Sequence, residues 1–255
     1  MISDRRSTRT DLIVAGAIWV VVTGVVLWWI ASTDFHPLGA STNAEITDDA
    51  FDLLMYLAAP ITTFVLVVLG YSVVRFRTAA DDEEESAPVR SNRLFVALWV
   101  LITAGLSVYA IINPGFTGLD ALAADTEEDL TIEVTARQWA WDYTYVDYDL
   151  TLDSGNDLVL PVDTRVLFKI TSLDVIHSFW IPAFRIKKDA VPGITTEVYT
   201  TATDLGDFTE DDGFRVQCAE LCGAGNSGMD TSVSVLSRAD FDKWVQETTI
   251  AEAEE

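Results

Sequence analysis

The stretch Phe214-Arg215-Val216-Gln217-Cys218-Ala219-Glu220-Leu221-Cys222-Gly223-Ala224-Gly225-Asn226-Ser227-Gly228-Met229 decides how this 255-residue chain is read. It contains both cysteines of the chain, and both lie in one loop. Phe214 to Gln217 has the short alternating pattern of a strand, and Thr231 to Leu236 repeats it just beyond the loop. Gly223, Gly225 and Gly228 allow the loop between them to fold tightly. Upstream, Asp174-Val175-Ile176-His177-Ser178-Phe179-Trp180 carries one of only two histidines. Two thiols, an imidazole and the Met229 thioether form a soft donor set suited to copper or zinc. The thioether favours copper, for which it is a usual axial ligand. A free thiol has a pKa of about 8.5, but a bound metal deprotonates it outright. Each residue alone has a plainer explanation: a small-loop disulfide that stabilises little, a satisfied core histidine, or a packed methionine. Together they point to a metal site.

Around this loop lie further strand candidates. Leu130-Thr131-Ile132-Glu133-Val134 alternates with period two, and Asp157 to Pro161, Arg165 to Ile170 and Thr196 to Thr201 are similar short runs bounded by Asp, Gly and Pro. Arg238 to Glu247 is helical in pattern, with Phe241, Trp244 and Val245 on one face, and residues 248–255 form an acidic tail. Many strands at close spacing over residues 117–247 predict an antiparallel sandwich or barrel.

The first 116 residues are of another kind. Leu12 to Ala31, Leu53 to Val74 (with Pro60 inside it) and Leu94 to Ile112 are apolar and uncharged. Each is long enough to cross a hydrocarbon core of about 30 Å as a helix, which needs about 20 residues. Residues 1–116 are therefore expected to be a membrane anchor of three spans, 12–31, 53–74 and 94–112. A signal peptide is the rival reading of the first stretch, because Arg5, Arg6 and Arg9 precede it, but a signal core is usually only about 7–15 residues long. Arg75, Arg77, Arg90 and Arg93 flank the second and third spans. Positive loops stay in the cytoplasm, which puts residues 117–255 outside. The acidic run Asp81 to Glu85 lies in that inner loop and weighs little in this rule.

The formal charge of −24 goes with 49% apolar residues and a mean hydropathy of +0.24. A disordered acidic chain would be far less apolar. A nucleic-acid binder needs a basic surface, and the pI is about 4.1. Only four lysines, Lys169, Lys187, Lys188 and Lys243, stand against 40 Asp and Glu. Acid spread over the whole outer region reads as a halophile's hydrated surface before it reads as a docking face. At 1 M salt the Debye length is about 3 Å, which removes long-range steering.

Together these segments resemble subunit II of the haem–copper cytochrome c oxidases, of haloarchaeal type, over most of the chain. Cys218, Glu220, Cys222, Gly223 and Met229 stand at matching places of that family's signature loop. Asp174 to Trp180, with Lys187, Asp189, Ala190, Val191, Pro192 and Gly193, looks like its segment around a histidine ligand, and Gln138-Trp139-Ala140-Trp141-Asp142-Tyr143 looks like its aromatic segment. The resemblance implies a cupredoxin-like Greek-key β-barrel behind transmembrane helices. It implies a CuA centre of two copper ions, bridged by Cys218 and Cys222, with His177 and Met229 as terminal ligands and Glu220 giving its backbone carbonyl. Trp139 would be where electrons arrive, with Trp141 near it. The donor would be an external cytochrome c or blue-copper protein. Electrons would go on to haem in subunit I, where oxygen is reduced.

One position departs from the family. Its second histidine ligand falls at Asn226 here, and an amide oxygen is a harder, weaker copper ligand than imidazole. The sequence leaves three outcomes open: two coppers with Asn226, water or a neighbour completing the site, one copper held as in a blue-copper protein, or none. The last would make the chain a non-redox structural paralogue. A quinol oxidase would be expected to lack the cysteines too, and a Cys₂His zinc hydrolase lacks a general base beside the site. His36, the other histidine, has nothing in the sequence to bring it to the loop.

Overall fold

Among the described residues, the apolar stretches lie in three long helices: α1 (Ile2–Ser32), α2 (Thr42–Arg75) and α3 (Arg93–Ala110). The structure is a computed structural model that describes residues 2–77, 92–123, 128–153 and 155–253. The acidic run at 81–85 lies outside the described residues. Among the described residues, three segments, Arg9–Ser32, Thr42–Arg75 and Arg93–Ala123, are long and apolar enough to cross a membrane.

α2 begins well ahead of the expected Leu53. The Ser41 hydroxyl accepts from the Ala44 amide at 3.1 Å and so caps the first turn. Glu45, Asp48, Asp49 and Asp52 make the opening of the helix too polar for a search based on hydropathy alone. At the end of α3, Asn113 leaves helical geometry (φ −134°, ψ 110°). A residue before proline is pushed out of the α region, and Pro114 follows it. The chain passes through a π-type turn at Ile111–Phe116 and resumes as the short helix α4 (Thr117–Ala123).

The chain divides into two compact units, Met1–Phe35 with Asp49–Thr117, and His36–Asp48 with Gly118–Glu255. Within the first, α1 and α2 share polar contacts. Trp19 donates its indole N–H to the Pro60 carbonyl at 2.9 Å, the hydroxyls of Thr23 and Thr63 lie 2.7 Å apart, and Asp11 accepts from the Tyr71 hydroxyl at 2.8 Å and from Arg75 at 3.0 Å.

The second unit starts earlier than residue 117, because residues 36–48 pack into it. The Ala40 amide donates to the Ala183 carbonyl (2.8 Å), and Thr203 donates to Ala40 (3.0 Å). Arg185 forks onto Asp48 at 3.0 and 3.1 Å and also reaches the Pro37 and Leu38 carbonyls. That fork gives the segment a fixed seat.

Among the described residues, eleven strands form the body of this unit. β1 (Leu130–Arg137), β2 (Ala140–Tyr145), β3 (Leu150–Leu152), β5 (Arg165–Ser172) and β8 (Thr196–Thr201) form one sheet in the order β3-β2-β1-β5-β8. β4 (Leu158–Pro161), β6 (His177–Ile181), β7 (Ile186–Ala190), β10 (Arg215–Cys218) and β11 (Asp230–Leu236) form the other, in the order β4-β11-β10-β6-β7, with β9 (Gly206–Asp207) on β11. β1 pairs in parallel with β5, and β4 with β11, while the other pairings are antiparallel. One core lies inside this cupredoxin-like β domain, built on fully buried Trp141, Tyr143, Tyr145, Phe168, Phe179 and Phe214.

α5 (Arg238–Ala253) closes the domain and runs past the expected Glu247 into the segment read as a tail. Its Thr248 and Thr249 hydroxyls bond back to the carbonyls of Trp244 and Val245, both at 2.8 Å. Phe241 anchors it against Tyr145 and Tyr148.

Tyr145 ties the two sheets together. Its buried hydroxyl donates to the Val159 carbonyl and accepts from the Val159 amide, each at 2.9 Å. Tyr145→Phe orphans both groups in the core, so it is expected to destabilise the domain by about 1–3 kcal/mol. Denaturant unfolding followed by circular dichroism checks this, and an unshifted midpoint would contradict it.

Candidate metal centre

The cysteine loop is closed by backbone before any side chain is considered. β10 ends at Cys218, whose amide donates to the Met229 carbonyl at 3.0 Å, so the twelve residues from 218 to 229 leave and return to one point. Ala219 N–H donates to Ser178 O at 2.9 Å, which joins the loop to β6. Inside it, Asn226 donates to Gly223 O, Gly228 to Gly225 O and Met229 to Asn226 O. Gly223 has φ +120°, a conformation that L side chains rarely adopt.

β6 brings His177 to the same place. The imidazole is fully buried, and its Nδ1 lies 3.8 Å from Cys218 Sγ. The two sulfurs are 3.7 Å apart, so the thiols are free and no disulfide joins them. Ligand atoms of His177, Cys218 and Cys222 all fall within 4.8 Å of one another. Met229 Sδ is 3.8 Å from Cys222 Sγ, and the Glu220 carbonyl oxygen is 3.2 Å from Cys218 Sγ. Asn226 Oδ1 is 3.1 Å from Cys222 Sγ. The structure thus brings together His177, Cys218, Glu220 (through its backbone), Cys222, Asn226 and Met229.

The donor set fits a soft metal. A zinc–thiolate bond is about 2.3 Å long, so sulfurs 3.7 Å apart can share an ion without moving far. Burial pushes the Cys222 thiol up to about 11, and the neighbouring Cys218 thiol adds to the shift. Without a cation, therefore, the Cys222 thiol stays protonated at neutral pH.

Two residues to which the sequence assigns no role hold the site in shape. Asp174 Oδ1 lies 2.9 Å from His177 Nε2, which leaves Nδ1 facing the sulfurs. Desolvation works against the Asp174 carboxylate, but hydrogen bonds from His177, the Val175 amide and the Gln138 amide outweigh it and hold its pKa down to about 2. Gln138 is the other. Its amide donates to Asp174 Oδ2 and its side chain to the Cys222 carbonyl, both at 2.7 Å, so it clamps three loops. An aspartate three residues before a histidine is a sequence cue for such a pair. Gln138 leaves no comparable cue.

The two tryptophans have different surroundings. Trp139 sits at the tip of the β1–β2 hairpin, which the Arg137–Asp142 pair braces at 2.9 and 3.1 Å. It is 44% exposed and lies over the cysteine loop so closely that a Cβ on Gly225 would stand 2.4 Å from its ring. Trp141 is fully buried, edge-on to His177 and Phe179, and its N–H reaches the Met229 carbonyl at 3.4 Å. It is a core residue beneath the site. His36 pairs with Asp48 at 3.4 Å and is not in the cluster.

A family described as cytochrome c oxidase subunit II, periplasmic domain, matches residues 150–236. The chain is 34% identical over 213 residues to the probable cytochrome c oxidase subunit 2 of Rickettsia prowazekii, which covers 76% of this chain and 65% of that relative. It is 33% identical over 225 residues to the protein of the same description from Rickettsia bellii, covering 81% and 80% of the two chains. Among solved structures, the periplasmic domain of subunit II of cytochrome oxidase from Bradyrhizobium japonicum is 32% identical, with a TM-score of 0.45, over 49% of this chain and 96% of that one. The identity to the second relative over most of both chains shows that this chain belongs to the cytochrome c oxidase subunit II family.

Proposed function

We propose that this chain is the electron-accepting subunit of a respiratory terminal oxidase, with a CuA-type copper centre in its outer domain. The observation that carries the reading is the buried cluster of His177, Cys218, Cys222 and Met229, with two free thiols 3.7 Å apart. His177, the two cysteines, Met229 and the Glu220 carbonyl would hold the metal. When bound, a two-copper centre supplies a one-electron carrier that shuttles charge without large rearrangement. Asp174 fixes the imidazole's tautomer and orientation, as outer partners of metal ligands do. Gln138 and the Cys218–Met229 closure hold the loop rigid, and Trp141 seals it from below.

Trp139 is the contact point for an external donor, a cytochrome c or a blue-copper protein. Its partial exposure and its stacking over the ligand loop support this. Electrons then pass to haem in subunit I, where oxygen is reduced. The buried grouping of His177, Cys218, Cys222 and Met229 favours this reading over a non-redox brace.

The three apolar helices are read as transmembrane spans, with the second unit outside the cell. Arginines at the N-terminus and after α2 support that orientation. The first helix is read as a retained span and not a cleaved signal. Support comes from its bonds to α2 at Pro60, Thr63 and Tyr71, since polar contacts in lipid help to pair helices. The two sheets are read as halves of a Greek-key barrel. The acidic surface is read as adaptation to strong salt, of the haloarchaeal kind.

The detergent-solubilised full chain is expected to bind two coppers, counted by mass spectrometry, with one unpaired electron shared between them by electron paramagnetic resonance. Cys218→Ser should abolish both signals. A folded chain that takes up no copper would sink the proposal.

A second test concerns Trp139. Gly225→Ala forces the indole off the loop, so it should slow reduction by an external donor while copper content stays unchanged. Unaltered kinetics together with a shifted Trp139 resonance in fluorotryptophan-labelled protein would remove Trp139 from the electron path.

A further inference from the structure

The proposed copper centre leaves one donor unexplained, and any role given to that donor rests on the centre itself. The cluster contains a single imidazole, because the chain's other histidine is held at Asp48 in a different segment. If two ions share the two thiolates, only one of them can have a nitrogen ligand. The remaining donors near the sulfurs are the Met229 thioether, the Glu220 carbonyl and the side-chain oxygen of Asn226.

Asn226 is placed with little freedom. Its amide donates to Gly223 O at 3.2 Å and its carbonyl accepts from Met229 N at 3.3 Å, so the backbone on both sides is tied. The side chain ends with Oδ1 3.1 Å from Cys222 Sγ. A copper bound by the Cys222 sulfur therefore has this amide within reach, and the amide can meet the site in two ways. Either it turns over and donates an N–H to the sulfur, or its Oδ1 faces the ion and binds it.

We propose that the second holds: Asn226 Oδ1 is a direct copper ligand, and it makes the two metal positions unequal. The position that has His177 binds first and tightly. The position completed by Asn226 binds second and more weakly, since an amide oxygen is a harder donor than imidazole. The chain would fill in two separable steps. Its second copper would be the one lost first to a chelator.

The test is a copper titration of the detergent-solubilised full chain against a competing chelator, with bound metal counted by mass spectrometry. The wild-type chain should fill in two steps whose affinities differ by at least the roughly 10–100-fold that losing even an outer-shell partner costs. Asn226→Leu should keep the first copper and lose the second. Asn226→His should raise the second affinity towards the first. Asn226→Asp separates the two roles, because a carboxylate can bind metal but has no N–H to donate. As a ligand replacement it keeps the second copper, and as a failed donor it loses it.

Loss of the second copper in Asn226→Asp would overturn the proposal in favour of the turned amide. Two coppers of equal affinity in the wild-type chain would overturn it, as would unchanged binding in Asn226→Leu, and either result would leave the copper centre itself standing. Absence of any copper in the wild-type chain would instead remove the copper centre along with it. Circular dichroism of each metal-free variant shows whether it folds, and if the leucine form does not, the aspartate and histidine forms decide.

Discussion

Two thiols held 3.7 Å apart in a buried pocket set the conditions for the rest of the site. Two negative sulfurs at that distance repel each other strongly in a poorly solvated environment, and burial already raises the Cys222 thiol. A cation held between the two sulfurs removes that repulsion. The surrounding donors fit a cation there: an imidazole, a thioether and two amide-type oxygens face the sulfurs, and the Asp174 carboxylate bonds the far side of the imidazole.

Holding the thiols there is the work of the β domain. Cys218 is the last residue of a strand flanked by β6 and β11, and both neighbours contribute to the site, β6 through His177 and β11 through the Met229 carbonyl just before it begins. The opposite sheet supplies the hairpin whose tip carries Gln138 and Trp139 and whose next strand buries Trp141. Core packing of the two sheets is therefore what brings residues 138, 177 and 218–229 to one place. A loosened core would weaken the site without touching a ligand.

How much of this is legible in the sequence depends on the kind of signal. The strands β1, β5, β8, β10 and β11 are legible from period-two runs, and β4, buried throughout, from the Asp and Pro that bound it. β6 escapes a strand reading, because four of its five residues are buried and it shows no alternation. β7 escapes for the opposite reason, since Lys187, Lys188 and Asp189 mask it. β2 does alternate, with Trp141, Tyr143 and Tyr145 inward, but its aromatic content draws the eye before its period does. The start of α2 is hidden by its acidic first turns, and the end of α5 by an acidic composition that suggests a tail. In the site, His177, Cys218, Cys222 and Met229 are legible as a soft donor set from residue type, whereas Glu220 enters only through the family resemblance. Gln138 is not, because its partners Asp174 and Cys222 are 36 and 84 residues away in sequence and one of the two contacts is to backbone.

The claim that everything else depends on is that sulfur from both cysteines binds copper in the full chain. X-ray absorption at the copper edge tests it most directly. The account predicts a dominant sulfur shell and a copper–copper scattering path, both lost when Cys218 and Cys222 are replaced by serine. A spectrum of nitrogen and oxygen neighbours alone, unchanged by those substitutions, would contradict it.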